Sequence, residues 1–393
     1  MKSQFGVKQF VLVGVLIGAL GCQSPRVAPV IRPLPPMAQV HPEKRMLPVR
    51  ATALVPARPG DYLQVLAGGD VMLGHWLLEY LKREGADYPF RRIRHLMQTG
   101  DVVFANLEAP FADSGVAVEK TYTFRVPTRY AIGLKQAGLN VVSLANNHIL
   151  DFGMGALEQT LRALDRVKVR YAGAGRSLDD AWRPAILNTH AGRVAVLAFS
   201  MTFPKSFWAT DSTGGTAYPH EDRLVQVLDS LDREVDFVIV SFHWGAEKRE
   251  TPKDYQIYFA RLAIDHGADL VLGHHPHVLQ GLELYKNRLI AYSLGNLAFA
   301  SYSKVARQSM LLKVLMHRRG LLFARIYPLN IDNTEVEFQP TPAQDPLAAQ
   351  IIAKVDSLSR PLNAEDIIDD SGFIWGRMFP HASYEKKRMA AFE

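Results

Sequence analysis

The chain of 393 residues has one cysteine, Cys22, and it falls within an N-terminal signal-like segment. No disulfide can brace the core, and no thiolate is left over for catalysis or for a structural zinc. A phosphate-cradling GxxxxGK[ST] loop is missing too, so ATP-driven ligation would need another subunit. No repeat of 20–50 residues is visible. The body also has no charge excess. Of the 45 Lys/Arg and 39 Asp/Glu, eight and one fall in residues 1–60, which leaves 37 and 38 beyond. The formal +6 therefore belongs to the N-terminal segment, where it suits an anionic membrane surface, and nothing favours nucleic acid as a partner.

That segment is informative. Lys2 and Lys8 flank the start of an apolar run from Phe10 to Leu20, and Gly18-Ala19-Leu20-Gly21 leads into Cys22. A basic region followed by an apolar stretch too short for a comfortable membrane span reads as a secretory signal. The small residues before Cys22 resemble a bacterial lipoprotein signal, with Ala19 where leucine is more usual. Residues 1–22 are thus expected to be a signal with its lipidation site at Cys22, carrying the protein across the inner membrane and anchoring it to the cell envelope. Gln23 and Ser24, in place of aspartate, favour the outer membrane in a Gram-negative host. Residues 23–60 include nine prolines and predict a semi-extended tether.

From position 61 the apolar runs alternate between strand and helix type. Tyr62–Ala67 runs through Gly68-Gly69 to Asp70, and Trp76, Leu77, Tyr80 and Leu81 follow at helical spacing. Further strands are expected over Asp101–Ala105, Asn140–Ala145, Val194–Phe199, Asp236–Phe242, Ala268–Leu272 and Leu289–Asn296. Helical faces carry Leu157, Leu161 and Leu164, then Leu224, Leu228 and Leu231, then Tyr255, Tyr258, Phe259 and Leu262. Met310–Leu315 and Leu321–Ile326 predict a hairpin, and Ile351, Ile352, Val355 and Leu358 a helix packed on the outside. Alternation with mostly apolar strands gives an α/β fold whose sheets are buried on their faces.

In such folds ligands gather at the carboxyl ends of the strands. Polar groups stand there: Asp70, Asn106 and Glu108, Asn146 to His148 with Asp151, His243 and Glu247, His274, His275 and His277, and Asn296. Five of the thirteen histidines fall at these ends, too many for solvated loops. Aspartate, glutamate, asparagine and histidine together suit a divalent metal such as Mn, Zn or Fe, with room for two ions. Two ions about 3.5–4 Å apart would polarise a phosphoryl or acyl group and supply a nucleophile. His148, oriented by Asp151, is then the candidate general acid. Several of these residues also have plain readings: Asp70 after two glycines as a turn former, Asn146 and Asn296 as loop ties, Glu247 as a cap. Arg125 is either a solvated edge residue or a guanidinium for a carboxylate or phosphate substrate.

The motifs resemble the calcineurin-like metallophosphoesterases, and more closely one branch, the CapA/PgsA poly-γ-glutamate capsule proteins. The resemblance spans roughly residues 63 to 330. It rests on Gly69-Asp70-Val71-Met72-Leu73-Gly74, Asn106-Leu107-Glu108, Asn146-Asn147-His148 with Asp151-Phe152-Gly153, His243-Trp244-Gly245 with Glu247, Gly273-His274-His275-Pro276-His277, and Ser293-Leu294-Gly295-Asn296. It implies a layered α/β sandwich over 61–335, with a C-terminal β-hairpin and an extension over 336–393. It also implies metal ligands at Asp70, Asn147, His243, His275 and His277, and a catalytic histidine at His148. In the phosphoesterases a histidine stands where this chain has Met72, a poor donor for such metals. Their bridging aspartate is replaced by Asn106 or Glu108, of which Glu108 is anionic. The remaining strand-end groups, Asn106, Arg125, Asn146, Glu247, His274 and Asn296, are then candidates to meet substrate.

Two functions fit. One is a lipid-anchored metal-dependent hydrolase or transferase acting in synthesis, transfer or release of poly-γ-glutamate or a related polymer. The other is a non-catalytic component that grips the anionic polymer or docks on membrane subunits of capsule synthesis.

Overall fold

The structure, a computed structural model, describes residues 62–377. Cys22, the signal of 1–22 and the tether of 23–60 lie outside the described residues. Among those described, no helix is long and apolar enough to cross a membrane.

Two mixed sheets are stacked. The first is centred on β1 (Tyr62–Met72), which runs parallel to β2 (Val102–Leu107), with β3 (Val141–Ser143) and β4 (Arg170–Ala172) beyond. The second takes β5 (Ala185–Thr189), β6 (Gly192–Ser200), β7 (Phe237–His243), β8 (Leu270–His274), β9 (Leu282–Tyr285) and β10 (Arg288–Ala291), in the order β9-β10-β8-β7-β6-β5. The chain then returns to the first sheet. β11 (Asn296–Phe299) lies parallel to the end of β1, and β12 (Gln308–His317) is antiparallel to its start. The hairpin partner β13 (Gly320–Asn330) is flanked by β14 (Thr341–Pro342) and β15 (Phe373–Trp375).

Strand alternation builds the layers. Leu63, Val65 and Ala67 of β1 face inward, against Val196, Ile239, Leu270 and Leu272 of the second sheet. Leu66, Val103 and Val142 face outward under Leu77, Leu81, Leu157, Leu161 and Leu164, which come from the helices Leu77–Glu84 and Gly153–Val167. On the other outer face, Leu197, Val238, Val240 and Val271 lie under Leu224, Leu228, Ala260 and Ala263 of the helices Glu221–Glu234 and Asp254–Asp265. The result is a helix–sheet–sheet–helix sandwich, the layered α/β architecture expected. Each buried leucine or valine side chain contributes about 1.5–3 kcal/mol to holding these layers together.

β1 continues through Gly68 and Gly69 to Met72, which sets aside the plain reading of Asp70 as a turn former. Two expectations are corrected. The run Leu289–Asn296 is not one strand: it leaves the second sheet after Ala291 and enters the first at Asn296, with Gly295 at φ +71°. The helix Leu347–Ser359 is not merely outside, since Ile351 and Val355 are fully buried in the core between the sheets.

Candidate metal centre

The carboxyl ends of both sheets meet at one place. Register aligns Asp70 with Asn106 and with Asn296 in the first sheet, and His243 with His274 in the second. Hydrogen bonds join the sheets there, among them the His275 N–H donating to Asp70 Oδ2 at 3.2 Å. Close approach of backbones fixes the strands. A Cβ on Gly69 would lie 1.9 Å from the Gly295 carbonyl oxygen, and one on Gly273 would lie 2.0 Å from that of Tyr292. Only glycine fits at either position. His275 and His277 both have positive φ, +94° and +59°, a conformation that costs about 1–3 kcal/mol each and clusters at functional sites.

Glu108 is the centre's most exposing feature. It is wholly buried, yet neither carboxylate oxygen has a hydrogen-bond partner. His243 Nε2 is 3.4 Å from Glu108 Oε1, and His277 Nε2 is 3.8 Å away. Burial, and next the Asp70 charge, push the Glu108 carboxyl well above its ordinary value. Burial also works against ionising Asp70, but the His274 and His277 imidazoles hold its carboxyl well below the usual carboxylate range. Burial and the neighbouring His277 bring His275 down to about 3, and His243 is lowered by burial and by His275. His277 goes the other way: despite burial, the charges of Glu108 and Asp70 raise it to about 10.

These groups fit a divalent cation. Glu108, His243 and His275 offer ligand atoms within 4.8 Å of one another, and so do Asp70, Glu108 and His277. Asn147 Oδ1 lies 2.8 Å from His243 Nε2, so both atoms can face the ion of the first set. Glu108, shared by the two sets, is the carboxylate able to bridge. A buried carboxylate with no partner among the described residues, beside the lowered imidazoles of His243 and His275, has the chemistry to hold such a cation. Met72 adds nothing here. Its sulfur is buried and accepts from the Gly74 N–H at 3.3 Å.

The surrounding residues sort by where they point. His148 Nδ1 is 2.7 Å from Asp151 Oδ2, and its ring lies 4.6 Å from that of Phe124. Burial lowers its pKa, with Asp151 opposing. Asn106 Nδ2 donates to Asp70 Oδ1 at 2.8 Å and lies 3.2 Å from His243 Nδ1. Asn146 uses its amide on Asn106 and Leu107 and accepts from the His148 and Ile149 N–H groups. Asn296 Oδ1 is 2.9 Å from His277 Nδ1. These bonds tie the three asparagines into the frame of the centre, as the loop-tie reading of Asn146 and Asn296 has it. His274 is fully enclosed, with Nδ1 3.4 Å from Asp70 Oδ1 and the Phe104 ring 5.7 Å away. The Arg125 guanidinium stacks over Phe152, 4.7 Å from the ring centroid. Glu247 stands exposed at the rim, its carboxylate within 4.8 Å of His275 and His277.

Lys120 escaped sequence reading. Its Nζ lies 2.7 Å from Asp151 Oδ1 and 3.1 Å from His148 Nδ1, and it donates to the Asn147 carbonyl. It sits in an irregular stretch with no periodicity.

Fold and site together define a four-layer α/β protein with a carboxylate–histidine centre suited to divalent metal. The chain belongs to the family described as bacterial capsule synthesis protein PGA_cap, which matches residues 64–301. It is similar to the "Capsule biosynthesis protein CapA" of Bacillus anthracis, 32% identical over 72% of this chain and 70% of that one. It is also similar to the "PGA biosynthesis protein CapA" of Bacillus subtilis (strain 168), 29% identical over 80% of both. Among solved structures, a 5'-nucleotidase precursor from Thermus thermophilus superimposes with a TM-score of 0.43 and 14% identity, over 68% of this chain and 54% of that one.

Proposed function

We propose that this protein serves synthesis, transfer or release of an anionic capsule polymer of the poly-γ-glutamate class, through a divalent-metal cleft of hydrolase type at the cell envelope. The names of the two Bacillus relatives support the polymer class. The metal part is carried by Glu108, a buried carboxylate with two unpartnered oxygens, facing His243 and His277. Lipidation at Cys22 would tie the body to a membrane.

Asp70, Glu108, Asn147, His243, His275 and His277 would hold a divalent cation, which when bound would supply Lewis-acid polarisation and a nucleophile at neutral pH. The chain's own residues do the rest. Asp151 engages His148 at Nδ1 and favours the imidazolium that burial opposes; in that doubly protonated form Nε2–H would be the proton given to a leaving group, leaving neutral imidazole with its proton on Nδ1. Lys120 and the Phe124 N–H hold Asp151 in turn, the latter at 2.8 Å.

Met72 favours a second reading, a cleft that binds polymer or membrane subunits without catalysis. Metal analysis of the purified protein separates the first reading from no metal at all. The wild type is expected to retain divalent metal, with His243→Ala and His275→Ala losing it. Metal-free wild type, unchanged in polymer output by either variant, would sink the proposal. Lost polymer output without hydrolysis or transfer on any candidate substrate would select the second reading.

A further inference from the structure

We infer that Glu247 is a metal ligand that enters the centre from its solvent rim, opposite the buried Glu108. The inference rests on the metal reading above. Three donor sets overlap here: Glu108 with His243 and His275, Asp70 with Glu108 and His277, and Glu247 with His275 and His277. The first two share Glu108. The third takes one histidine from each, so Glu247 touches both sets at once.

Glu247 is otherwise unspent. Among the described residues it makes no hydrogen bond or ion pair, although Lys248 and Arg249 follow it directly. His275 Nδ1 is likewise unpartnered, on a side chain more than nine-tenths buried. The turn that carries Glu247 is fastened to the histidine loop. The Trp244 N–H donates to the His274 carbonyl at 3.1 Å, and the Lys248 N–H to that of Pro276 at 2.8 Å. The Gly245 N–H donates to Tyr255 Oη at 2.7 Å. Glu247 is therefore held over the two histidines by backbone bonds on both sides of it.

Donor count and charge point the same way. With the Met72 sulfur committed to Gly74, the Asp70–Glu108–His277 set has three side-chain donors, too few for an ion such as Mn²⁺ that prefers six ligands. Two divalent ions against Asp70 and Glu108 alone would leave two positive charges, and a third carboxylate removes one of them.

The test is titration of Mn²⁺ into the metal-stripped full-length chain in detergent, followed by calorimetry and by Mn²⁺ electron paramagnetic resonance. Glu247→Gln and Glu247→Ala are compared with wild type, His243→Ala and His275→Ala. Glu247 is exposed, and the stripped variants are expected to unfold at the wild-type temperature. The inference expects weaker Mn²⁺ binding in both Glu247 variants, by about tenfold or more, with a changed resonance spectrum. Variants that titrate as wild type overturn it and leave the metal reading intact. No Mn²⁺ uptake by wild type overturns both.

Discussion

Asn296 sits behind a histidine of the candidate centre and sets which of its ring nitrogens carries the proton. Both neighbours of His277 Nδ1, the Asn296 amide oxygen and Asp70 Oδ2 at 3.2 Å, are acceptors. Nδ1 therefore carries a proton, and Nε2 is the nitrogen aimed at Glu108. Asn296→Ala is expected to lower divalent-metal affinity about 10- to 100-fold, as loss of such partners does elsewhere. Thermal unfolding of the metal-stripped variant should move little, and calorimetric titration beside a melting curve checks both. Sequence reading found the residues that gather here, because polar side chains at the ends of apolar strands stand out. It could not find which way each faces. His274 and His275 are neighbours, yet one is enclosed behind Asp70 and the other turns to the centre. The positive φ of His275 makes that difference, and neither hydropathy nor spacing carries a trace of it.

At the scale of elements, the strands with long apolar runs were legible almost to their ends. The hairpin was too, with His317 opposite Gly320 as the loop residues implied. What spacing did not show was which sheet each strand joins. Tyr292–Gly295 reads as a continuation of strand character, whereas in the fold it carries the chain from the second sheet to the first and sets Asn296 beside Asp70. That crossing is possible because Gly69 and Gly273 let it pass at backbone contact, a tertiary fact with no local signature. Gly273→Ala is therefore expected to destabilise the protein by about 3 kcal/mol or more, since its Cβ meets a carbonyl oxygen that cannot move aside. It should also displace the histidine loop and abolish metal retention. Gly155→Ala is the control. It lies inside the helix Gly153–Val167 with open space around it, so it should stabilise by up to about 1 kcal/mol. Chemical denaturation of the two variants, read against wild type, decides the matter.

The described residues form two sheets whose inner faces share one apolar core, closed at one side by Ile351 and Val355, and the centre lies where the sheets' carboxyl ends come together. Asp70 and Glu108 come from the first sheet, and His243, His275 and His277 from strand ends of the second. An ion held by both groups ties the sheets together, as a cross-link would. Binding to the folded state alone adds RT ln(1 + [L]/Kd), about 2.7 kcal/mol at a hundredfold excess over Kd. Chelation is thus expected to lower the unfolding temperature of the entire body rather than loosen one loop. The effect should depend on pH. His275, about 3 when folded and 6.5 when free, binds more protons unfolded than folded between those values. Its contribution to stability is complete above pH 6.5 and fades as pH falls toward 3, by about 1.4 kcal/mol per unit at most. His243, also lowered, adds in the same direction. His277, raised to about 10, would shed a proton when an ion arrives, and the upward shift of Glu108 acts in the same direction, so metal uptake near neutral pH should release protons and tighten as pH rises. Melting curves with Mn²⁺ and with chelator, from pH 5 to 8, should therefore converge toward the acidic end and separate toward the alkaline one. Curves that superimpose at every pH would mean that the strand ends bind no ion.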